Sequence, residues 1–305
     1  MVQTAAIRHL IVDAGRREIA VALAAKHPDL VVVRPEVEEV TGRLPTPTPN
    51  DLAIVQFTSG TTGHPRGVML SHRTVLAGLR AILISAEFTR DDVLVQWVPT
   101  YHDMGLFGLL SQVLNGASTH VFDSLRFLRD PACLLRHLTE HGGTVITGPS
   151  FGYTMLADTV DRHGDHGLAL EGLRLAFNGA EPVQSSDIEL FDKILSPVGY
   201  RPEAMFPVYG LAEATLAATF PVPGRLPRII HADRNLLAEG AAVRLVPEGH
   251  PQQKALVGVG RPVHGMELRI VGMDGEPRTE GTVGEIQICG AAVTTGVTAQ
   301  VVDYA

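Results

Sequence analysis

The feature of this 305-residue sequence that most constrains its fold is a repeated alternation of short apolar runs with longer amphipathic stretches. Apolar strands that alternate with helices of about 11 to 15 residues are typical of a largely parallel β-sheet with flanking helices. The sequence therefore predicts an α/β fold. The alternating pairs are "VLVQWV" with "DMGLFGLLSQVL", "STHVF" with "DPACLLRHLTEH", "GTVIT" with "SFGYTMLADTV", and "LRLAF" with "SSDIELFDKIL".

The residues before this alternation predict a helix, a short strand and a linker instead of regularly alternating elements. Residues 5–26 are rich in alanine and predict a helix, and residues 30–33 predict a short strand. The segment 43–51, "RLPTPTPND", predicts a linker, because its alternating prolines permit neither a helix nor a central strand. "LAIVQF" then predicts a strand, and Ser71 is a suitable N-cap for a helix that starts near it.

The character of the sequence changes after about Pro221, where short strands and glycine-centred turns replace the alternation of strands and helices. "MELRIVG" and "TVGEIQICG" predict strands, and "MDGE" between them is a hairpin signal. We therefore predict an α/β subdomain over residues 1–220 and a smaller β-rich subdomain over residues 221–305.

Composition argues against several classes of protein. The formal net charge of −8 argues against a general nucleic-acid binder, which normally carries a basic face. No apolar run approaches the roughly 18 residues of a membrane-spanning helix, and the N-terminus lacks the order of a secretion signal. The two cysteines, Cys133 and Cys289, lie far apart and predict packed, reduced thiols in a cytoplasmic protein.

Five polar, glycine-containing loops each follow a predicted strand directly. Ligands of open α/β sheets bind outside the carboxyl ends of the strands. We therefore expect the five loops to meet at one edge of one sheet and to form a binding site there. They are "TSGTTGHPRG" after "LAIVQF", "PTYHDMG" after "VLVQWV", "GPSFGY" after "GTVIT", "NGAEPV" after "LRLAF" and "PVYGLAEAT" after "AMF".

The first of these loops has the residue types that hold phosphate groups. Its glycines let backbone N–H groups approach an anion, and its Ser and Thr hydroxyls add further donors. Arg66 supplies a positive charge and a planar fork suited to phosphate oxygens. The spacing is not that of a P-loop, because Gly60 is followed by four residues and then Pro65–Arg66 instead of Gly–Lys. A flexible turn without a ligand is the alternative.

The other loops also fit a nucleotide, and each has a plain structural alternative. Tyr209 is suited to stacking on a purine, and Glu213 is suited to the Mg²⁺ that accompanies ATP; the alternative is a buried tyrosine and a glutamate at a helix start. Backbone groups of residues 178–180 either border a base or simply end a strand. His102 is one of 13 histidines and is either catalytic or structural. The polar segment 162–167, "RHGDHG", lacks a zinc-binding spacing and is interpreted as solvated surface.

Taken together, these loops resemble the adenylate-forming superfamily of acyl and aryl acid ligases, luciferases and peptide-synthetase adenylation domains. "FTSGTTGHPRGV" is similar to the family's phosphate loop, with Arg66 where lysine is usual, and "YGLAEAT" is similar to its Tyr-Gly-x-x-Glu motif. Within the superfamily, "WVPTYHDMGL", "FNGAEPV" and "RPEAMFPVYGLAEAT" most resemble fatty acyl-AMP ligases. The resemblance runs over nearly the whole chain.

The resemblance implies a role for each motif. The phosphate loop would hold the β- and γ-phosphates of ATP, residues 178–180 would border adenine, and Tyr209 would stack on it. Glu213 would bind Mg²⁺, and His102 and Thr215 would lie near the α-phosphate. The implied catalytic residues are His102, Arg66, Thr215 and Glu213, and the implied nucleotide-binding residues are Thr58, Ser59, Gly60, Thr61, Thr62, Gly63, Asn178, Gly179, Ala180, Tyr209 and Gly210.

The implied reaction is ATP-dependent activation of a fatty acid to an acyl-adenylate, with release of pyrophosphate and transfer of the acyl group to an acyl carrier protein. Two alternatives stay open: a ligase that delivers the acyl group to coenzyme A, and a non-catalytic module that binds nucleotide without turnover. Residues 1–220 would be the nucleotide- and acyl-binding subdomain. The resemblance also implies that the chain is a central portion of such an enzyme, without its N-terminal part, its Thr-Gly-Asp motif and its mobile, lysine-bearing C-terminal domain.

Overall fold

The computed structural model describes residues 7–12, 14–33, 45–58, 66–165 and 167–298. They belong to two compact units. The smaller unit contains the chain up to Arg73 and the segment from Thr294 onward, and the larger unit runs from Thr74 to Val293. The predicted subdomain boundary at residue 220 falls inside the larger unit and stays a prediction.

Helices and strands alternate through the first part of the larger unit. Within the described residues, the helices are α1 (Arg17–Lys26), α2 (His72–Ser85), α3 (Asp103–Asn115), α4 (Ser124–Arg129), α5 (Ala132–His141), α6 (Ser150–His163) and α7 (Ser185–Leu195). The strands are β1 (His9–Ile11), β2 (Val31–Val33), β3 (Leu52–Thr58), β4 (Arg66–Ser71), β5 (Val93–Gln96), β6 (Ser118–Val121), β7 (Val145–Gly148), β8 (Leu175–Asn178), β9 (Met205–Pro207), β10 (Tyr209–Leu211), β11 (Leu216–Phe220), β12 (Ile229–Asp233), β13 (Gln253–Val257), β14 (Arg261–Pro262), β15 (Met266–Val271), β16 (Glu285–Gly290) and β17 (Val297–Thr298).

The centre of the larger unit is a parallel five-stranded sheet with the strand order β6-β5-β7-β8-β9. Helices connect its successive strands, so the predicted α/β fold is confirmed. β7 and β8 are buried at every residue, as expected for central strands that are covered on both faces. The strand order reverses between β5 and β7, and ligands of such sheets bind at this reversal, outside the carboxyl ends of the strands.

The loop after β5 is fixed by packing of its tryptophan. The indole of Trp97 stacks on Phe127 of α4, with ring centroids 3.8 Å apart and an angle of 12° between the rings. A Cβ atom at Gly152 in α6 would lie 2.7 Å from Trp97 Cζ2, so glycine is needed where α6 passes the indole. The start of this polar loop is therefore held rigidly against two helices.

The amino end of the sheet is held by a buried ion pair. The Asp92 side chain, just before β5, is only 3% exposed, and Arg174, just before β8, donates two hydrogen bonds of 2.6 Å to it. The Thr89 backbone N–H and the Thr144 hydroxyl donate to the same carboxylate at 2.7 and 2.8 Å. Burial raises the pKa of Asp92, but these hydrogen bonds together outweigh burial and hold the pKa below its usual value.

The rest of the larger unit is antiparallel. β10, β11 and β14 form a three-stranded sheet, and β12–β13 and β15–β16 form antiparallel pairs. The predicted turn at "MDGE" is confirmed: Gly275 has a φ of +75°, and its N–H donates to the Gly272 carbonyl at 2.8 Å. Antiparallel pairing begins at β10, before the change of character at residue 221.

The first strand of the smaller unit corrects the prediction of a helix over residues 5–26. Residues 9–11 form β1, which pairs in parallel with β2, and the α-helix starts only at Arg17. Strand pairing here outweighs the helix propensity of the alanines. Residues 5 and 6, and the first two residues of the predicted linker, lie outside the described residues.

The first polar loop also corrects the prediction, because β3 is not part of the parallel sheet. It lies in an antiparallel sheet with the order β17-β4-β3, and β4 is a strand that the sequence analysis does not predict. Val68 and Leu70 are both fully buried, which fits the two-residue period of a strand. Four of the five loops therefore follow strands of the parallel sheet, and the first loop joins two antiparallel strands. α2 begins at His72, next to Ser71, as predicted.

Two expectations from composition, on membrane spans and on the cysteines, can be compared with the described residues. Across the described residues, no helix is both long and apolar enough to cross a membrane. Cys133 is a buried free thiol, as predicted, whereas Cys289 is a free thiol that is exposed on β16. The expectation of two packed thiols is therefore wrong for Cys289.

The ion pair at the amino end of the sheet gives a stability prediction. Arg174→Leu leaves the Asp92 carboxylate buried without its cation, so we expect the free energy of unfolding to fall by about 3–5 kcal/mol. Arg162→Leu is the matched control, because Arg162 and Asp158 form a surface pair with side chains 70% and 44% exposed. Its effect should stay within about 0.5 kcal/mol. Urea denaturation measures both, and equal losses would contradict the assigned role of Arg174.

Candidate functional site

Two neighbouring cavities of the larger unit lie beside the loops that follow β8 and β9, and residues of β5 and β7 also line the first of them. The first, called the apolar cavity, encloses about 850 Å³ counted to its open mouth. Aromatic and aliphatic side chains dominate its wall, among them Phe88, Phe177, Phe220 and Leu216. The second, called the Lys254 cavity, is open to solvent, has a volume of about 1050 Å³ with that open space included, and is lined by Glu181, Gln184, Lys254 and Leu256, among others.

The two cavities meet at the loops after β8 and β9. Both are lined by Ala180, Val208, Tyr209 and Gly210. The Val208 N–H donates to the Asn178 carbonyl at 2.8 Å, which ties the two loops together. The two cavities therefore share a wall that these four residues form.

The wall of the apolar cavity is held by a network of phenylalanine rings. Phe177 of β8 meets Phe206 and Phe220 edge to face, with ring centroids 4.9 and 5.4 Å apart. Phe88 lies parallel to Phe177 at 5.9 Å. Such pairs add to the stability gained by burial and fix the orientation of the rings. The cavity is thus a formed apolar space, suited to an aliphatic chain.

Two buried polar side chains interrupt this apolar wall. Gln112 of α3 is 1% exposed and Thr147 of β7 is 7% exposed, and both line the apolar cavity. Within the described residues, the amide of Gln112 and the hydroxyl of Thr147 have no hydrogen-bond partner. Each polar atom is covered in this conformation, and leaving it unsatisfied costs about 1–3 kcal/mol, so a ligand group that a side-chain rotation brings within reach would satisfy it.

His102 lies at the start of α3 and lines the apolar cavity. Its side chain is 58% exposed, and its Nδ1 is 3.5 Å from the Asp103 carboxylate. The hydrogen bond to Asp103 raises the pKa of His102; burial opposes this rise and the carboxylate charge adds to it. A Cβ atom at Gly105 would lie 2.3 Å from the Pro99 carbonyl, so glycine lets the helix start this close to the loop after β5.

Close backbone contacts shape the loops at Tyr209. A Cβ atom at Gly210 would lie 1.8 Å from the Leu216 carbonyl oxygen, and one at Gly179 would lie 2.7 Å from Val208 Cγ2. Ala180 has a φ of +70°, in the left-handed region. Gly179 and Gly210 are therefore required by the approach of neighbouring chain segments, whatever ligand is bound.

Asn178 lies at the end of β8. It is fully buried, and its Oδ1 accepts a hydrogen bond of 3.1 Å from the Ser150 hydroxyl at the start of α6. Its side chain joins the ends of β8 and α6, and the neighbouring Ala180 lines both cavities.

Glu213 and Thr215 lie in the turn between β10 and β11. Glu213 is partly exposed on the 3₁₀ turn Ala212–Ala214, and its carboxylate oxygens are the ligand type that Mg²⁺ prefers. Thr215 is fully buried, has a φ of +48° and donates its hydroxyl to the Ala292 carbonyl at 2.8 Å. Neither residue lines the apolar cavity or the Lys254 cavity.

The predicted phosphate-binding residues lie in the smaller unit. Thr58 ends β3, and the exposed Arg66 begins β4, where the two are paired in register. Ser59, Gly60, Thr61, Thr62 and Gly63 lie outside the described residues. Of the predicted site residues, His102, Ala180, Tyr209 and Gly210 are brought together around the apolar cavity.

The sequence analysis missed the polar side chains of the cavity wall. Gly108 and Gln112 are four residues apart on α3 and both line the apolar cavity. A small residue and an amide on one face of an otherwise apolar helix are a readable signal of a cavity, because a buried helix face normally carries large apolar side chains. Thr147 carried no such signal, since a threonine in a buried strand is common.

The chain is similar to proteins of known family. The sequence profile described as "AMP-binding enzyme" matches residues 3–298. A medium-chain-fatty-acid–[acyl-carrier-protein] ligase, TtuA, of Teredinibacter turnerae is 33% identical over 82% of this chain and 39% of its own length. A long-chain-fatty-acid–AMP ligase, FadD32, of Mycolicibacterium smegmatis is 31% identical over 90% of this chain and 45% of its own. The chain thus spans less than half the length of these relatives.

The fold of this chain is also similar to the folds of solved structures. A fatty acyl-adenylate ligase from L. pneumophila, solved in complex with acyl adenylate and pyrophosphate, superposes with a TM-score of 0.89 and 29% sequence identity. The match covers 97% of this chain and 52% of the L. pneumophila chain. The described residues therefore have the fold of an adenylate-forming enzyme.

The contact between His102 and Asp103 predicts a change in titration. Asp103→Asn removes the carboxylate that stabilises the imidazolium, so we expect the pKa of His102 to fall and its proton to be lost at lower pH. The amide oxygen can still accept the Met104 N–H, which now bonds Asp103 Oδ1 at 2.7 Å. An NMR pH titration of the His102 ring measures the shift, and Asp158→Asn on the surface of α6 is the control. An unchanged or higher pKa in Asp103→Asn would contradict the assignment.

Proposed function

The chain belongs to the AMP-binding enzyme family, and from this premise we propose that the protein activates a fatty acid with ATP. The carboxylate oxygen of the acid attacks the α-phosphorus, the bond from that phosphorus to the bridging oxygen of the β-phosphate breaks, and pyrophosphate leaves. The product is an acyl-adenylate. The relatives named above as fatty-acid ligases support this substrate class.

The observation that carries the proposal is that Tyr209 lies in the wall shared by the two cavities. We place the acyl chain in the apolar cavity, against Phe177 and Phe220, and the nucleoside in the Lys254 cavity. Tyr209 lines both, so its ring is available to the base while its neighbours border the acyl end. The reacting carboxylate and the α-phosphate then meet near His102.

The chemistry needs positioning and charge stabilisation more than base catalysis. A fatty carboxylate is already ionised at neutral pH, so the protein must hold two anions together and stabilise the charge that develops on phosphorus. The raised pKa of His102 keeps a larger share of its side chain positively charged at the apolar cavity. We therefore assign His102 to the α-phosphate and the acyl carboxylate.

The remaining predicted residues are assigned to the phosphates and to the metal ion. We assign Arg66 and the loop from Thr58 through Ser59, Gly60, Thr61, Thr62 and Gly63 to the β- and γ-phosphates. Glu213 is assigned to Mg²⁺, which when bound supplies positive charge to the phosphate oxygens. Thr215 keeps its predicted place near the α-phosphate, and its hydrogen bond to Ala292 supports a role in holding the turn that carries Glu213.

We propose an acyl carrier protein as the acceptor and the cytoplasm as the location. The name of TtuA, an acyl-carrier-protein ligase, supports the acceptor, and the two free thiols, Cys133 and Cys289, support the location. Coenzyme A is the alternative acceptor. Transfer of radiolabelled acyl groups to phosphopantetheinylated carrier protein or to coenzyme A separates the two.

ATP–pyrophosphate exchange tests the proposed activity. With Mg²⁺ and a series of fatty acids, we expect exchange that depends on the acid and is strongly reduced in Glu213→Gln, which lacks the charged ligand for Mg²⁺. Glu239→Gln is the control, because Glu239 is exposed and lines neither cavity, and it should keep wild-type exchange. Exchange by Glu213→Gln equal to wild type at saturating Mg²⁺ would remove Glu213 from the site. Nucleotide binding without any exchange would instead favour a non-catalytic module.

The buried polar groups of the apolar cavity predict a substrate preference. We propose that Gln112 and Thr147 rotate their polar atoms toward a bound acid and so favour acids with a hydrogen-bonding substituent, such as a hydroxyl group, over plain alkyl acids. Gln112→Leu removes the amide that a plain chain leaves unsatisfied, so the ratio of kcat/KM for the plain over the hydroxylated acid should rise roughly tenfold.

Ser111→Ala is the matched control for this change. Its hydroxyl also lines the cavity, but it already donates to the Phe107 carbonyl at 2.6 Å and needs no group from the ligand. Steady-state kinetics with a matched pair of acids gives both ratios. An equal ratio in Gln112→Leu and wild type would contradict the preference.

A further inference from the structure

The last turn of α5 carries three residues with metal-binding side chains on one face. His137, Glu140 and His141 follow in the pattern His-x-x-Glu-His, so that the two histidines are four residues apart. Residues at this spacing lie one above the other on a helix. A pair of histidines at this spacing on a helix is a recurrent zinc-binding arrangement.

The structure brings the donor atoms of these side chains together. One donor atom from each of His137, Glu140 and His141 lies within 4.8 Å of the others, and Glu140 Oε2 is 3.9 Å from His141 Nε2. In a tetrahedral zinc site with bonds of about 2.1 Å, donor atoms are roughly 3.4 Å apart. Small side-chain rotations therefore suffice to close the three donors around an ion.

A fourth side chain with a metal-binding nitrogen, His120, approaches His137 from the neighbouring edge strand. His120 of β6 points its Nδ1 at His137 Nε2, at a distance of 2.5 Å, and its ring centroid is 5.4 Å from that of His141. Two imidazoles in hydrogen-bond contact share one proton. An ion bound between them takes the place of that proton, which is released to solvent, and the two nitrogens move apart.

The surroundings of these four side chains favour a metal ion that prefers nitrogen ligands and that enters the site from solvent. His120 and His137 are partly buried, whereas Glu140 and His141 are exposed. The Phe122 ring meets His137 edge to face at 4.9 Å and forms an apolar wall. Arg126 lies over that ring at 5.2 Å, and its positive charge and the negative charge of Glu140 act on His137 in opposite directions. Imidazole suits Zn²⁺, Cu²⁺ and Ni²⁺, whereas Mg²⁺ prefers oxygen ligands.

We propose that His120, His137, Glu140 and His141 form a binding site for a transition-metal ion, with Zn²⁺ as the ion that the set of ligands fits best. Three nitrogen donors and one carboxylate fill a tetrahedral site, which is typical of a structural zinc. The ion links the edge strand β6 to α5. None of the four residues lines the apolar cavity or the Lys254 cavity, so the proposal does not depend on the proposed function.

Calorimetric titration of tag-free, EDTA-treated protein with Zn²⁺ tests the site. We expect one zinc ion per chain, and a loss of affinity of at least about tenfold in His137→Ala and in His141→Ala, since even outer-shell partners are worth that much. His163→Ala is the matched control, because His163 is an exposed histidine at the end of α6. It should bind Zn²⁺ like the wild type, and Mg²⁺ should not compete.

Two further measurements, circular dichroism and the melting temperature, separate loss of the metal site from loss of the fold. Circular dichroism checks each variant, and Glu140→Gln alters only an exposed side chain, so its weaker binding reports on the site itself. Zn²⁺ at 100 times its Kd should raise the ratio of folded to unfolded wild-type protein about a hundredfold, seen as a higher melting temperature than in EDTA. No binding by the wild type, or equal binding and equal stabilisation in the folded histidine variants, would overturn the proposal.

Discussion

The register of the parallel strands β5, β7 and β8 is the constraint on which the candidate site depends. Leu94 is paired with Val145, and Val145 with Leu175, so the three strands end level and release their loops at one edge. A slip of one residue would turn every side chain of a strand to its other face and would remove Thr147 from the apolar cavity. The ion pair of Asp92 and Arg174 joins the segments before β5 and β8 at the far end of the sheet and thereby supports this register.

The loops at the carboxyl ends meet through backbone contacts that few residues allow. Gly179 and Gly210 have no room for a Cβ atom, and Ala180, Thr215 and Leu216 all have positive φ angles. Such conformations cost about 1–3 kcal/mol each for a non-glycine residue and cluster at functional sites, where the surrounding structure holds them. The hydrogen bond from Thr215 to Ala292 is one of the contacts that hold them here. The rigid wall that results is what lets two cavities of different character share Tyr209.

The parallel sheet and its loops were predictable from sequence because both rest on local patterns. Apolar runs, helix periodicity and glycine-rich loops identified β5 to β9, α3, α5, α6 and α7. Four residues that the resemblance named also line the apolar cavity, namely His102, Ala180, Tyr209 and Gly210. Long-range pairing was not predictable: β1 competes with an alanine-rich helix signal, and β3 pairs with β4 and β17 instead of joining the parallel sheet. The wall residues Gln112 and Thr147, and the approach of His120 to His137, also depend on contacts between distant segments.

The central claim is that one acyl-adenylate lies across Tyr209, with its two ends in different cavities. A crystal structure of the protein with a non-hydrolysable acyl-adenosine sulfamate tests this most directly. We expect the acyl chain between Phe177 and Phe220 in the apolar cavity, and the adenine beside Tyr209 in the Lys254 cavity. An acyl chain in the Lys254 cavity, or a ligand bound outside both cavities, would contradict this claim.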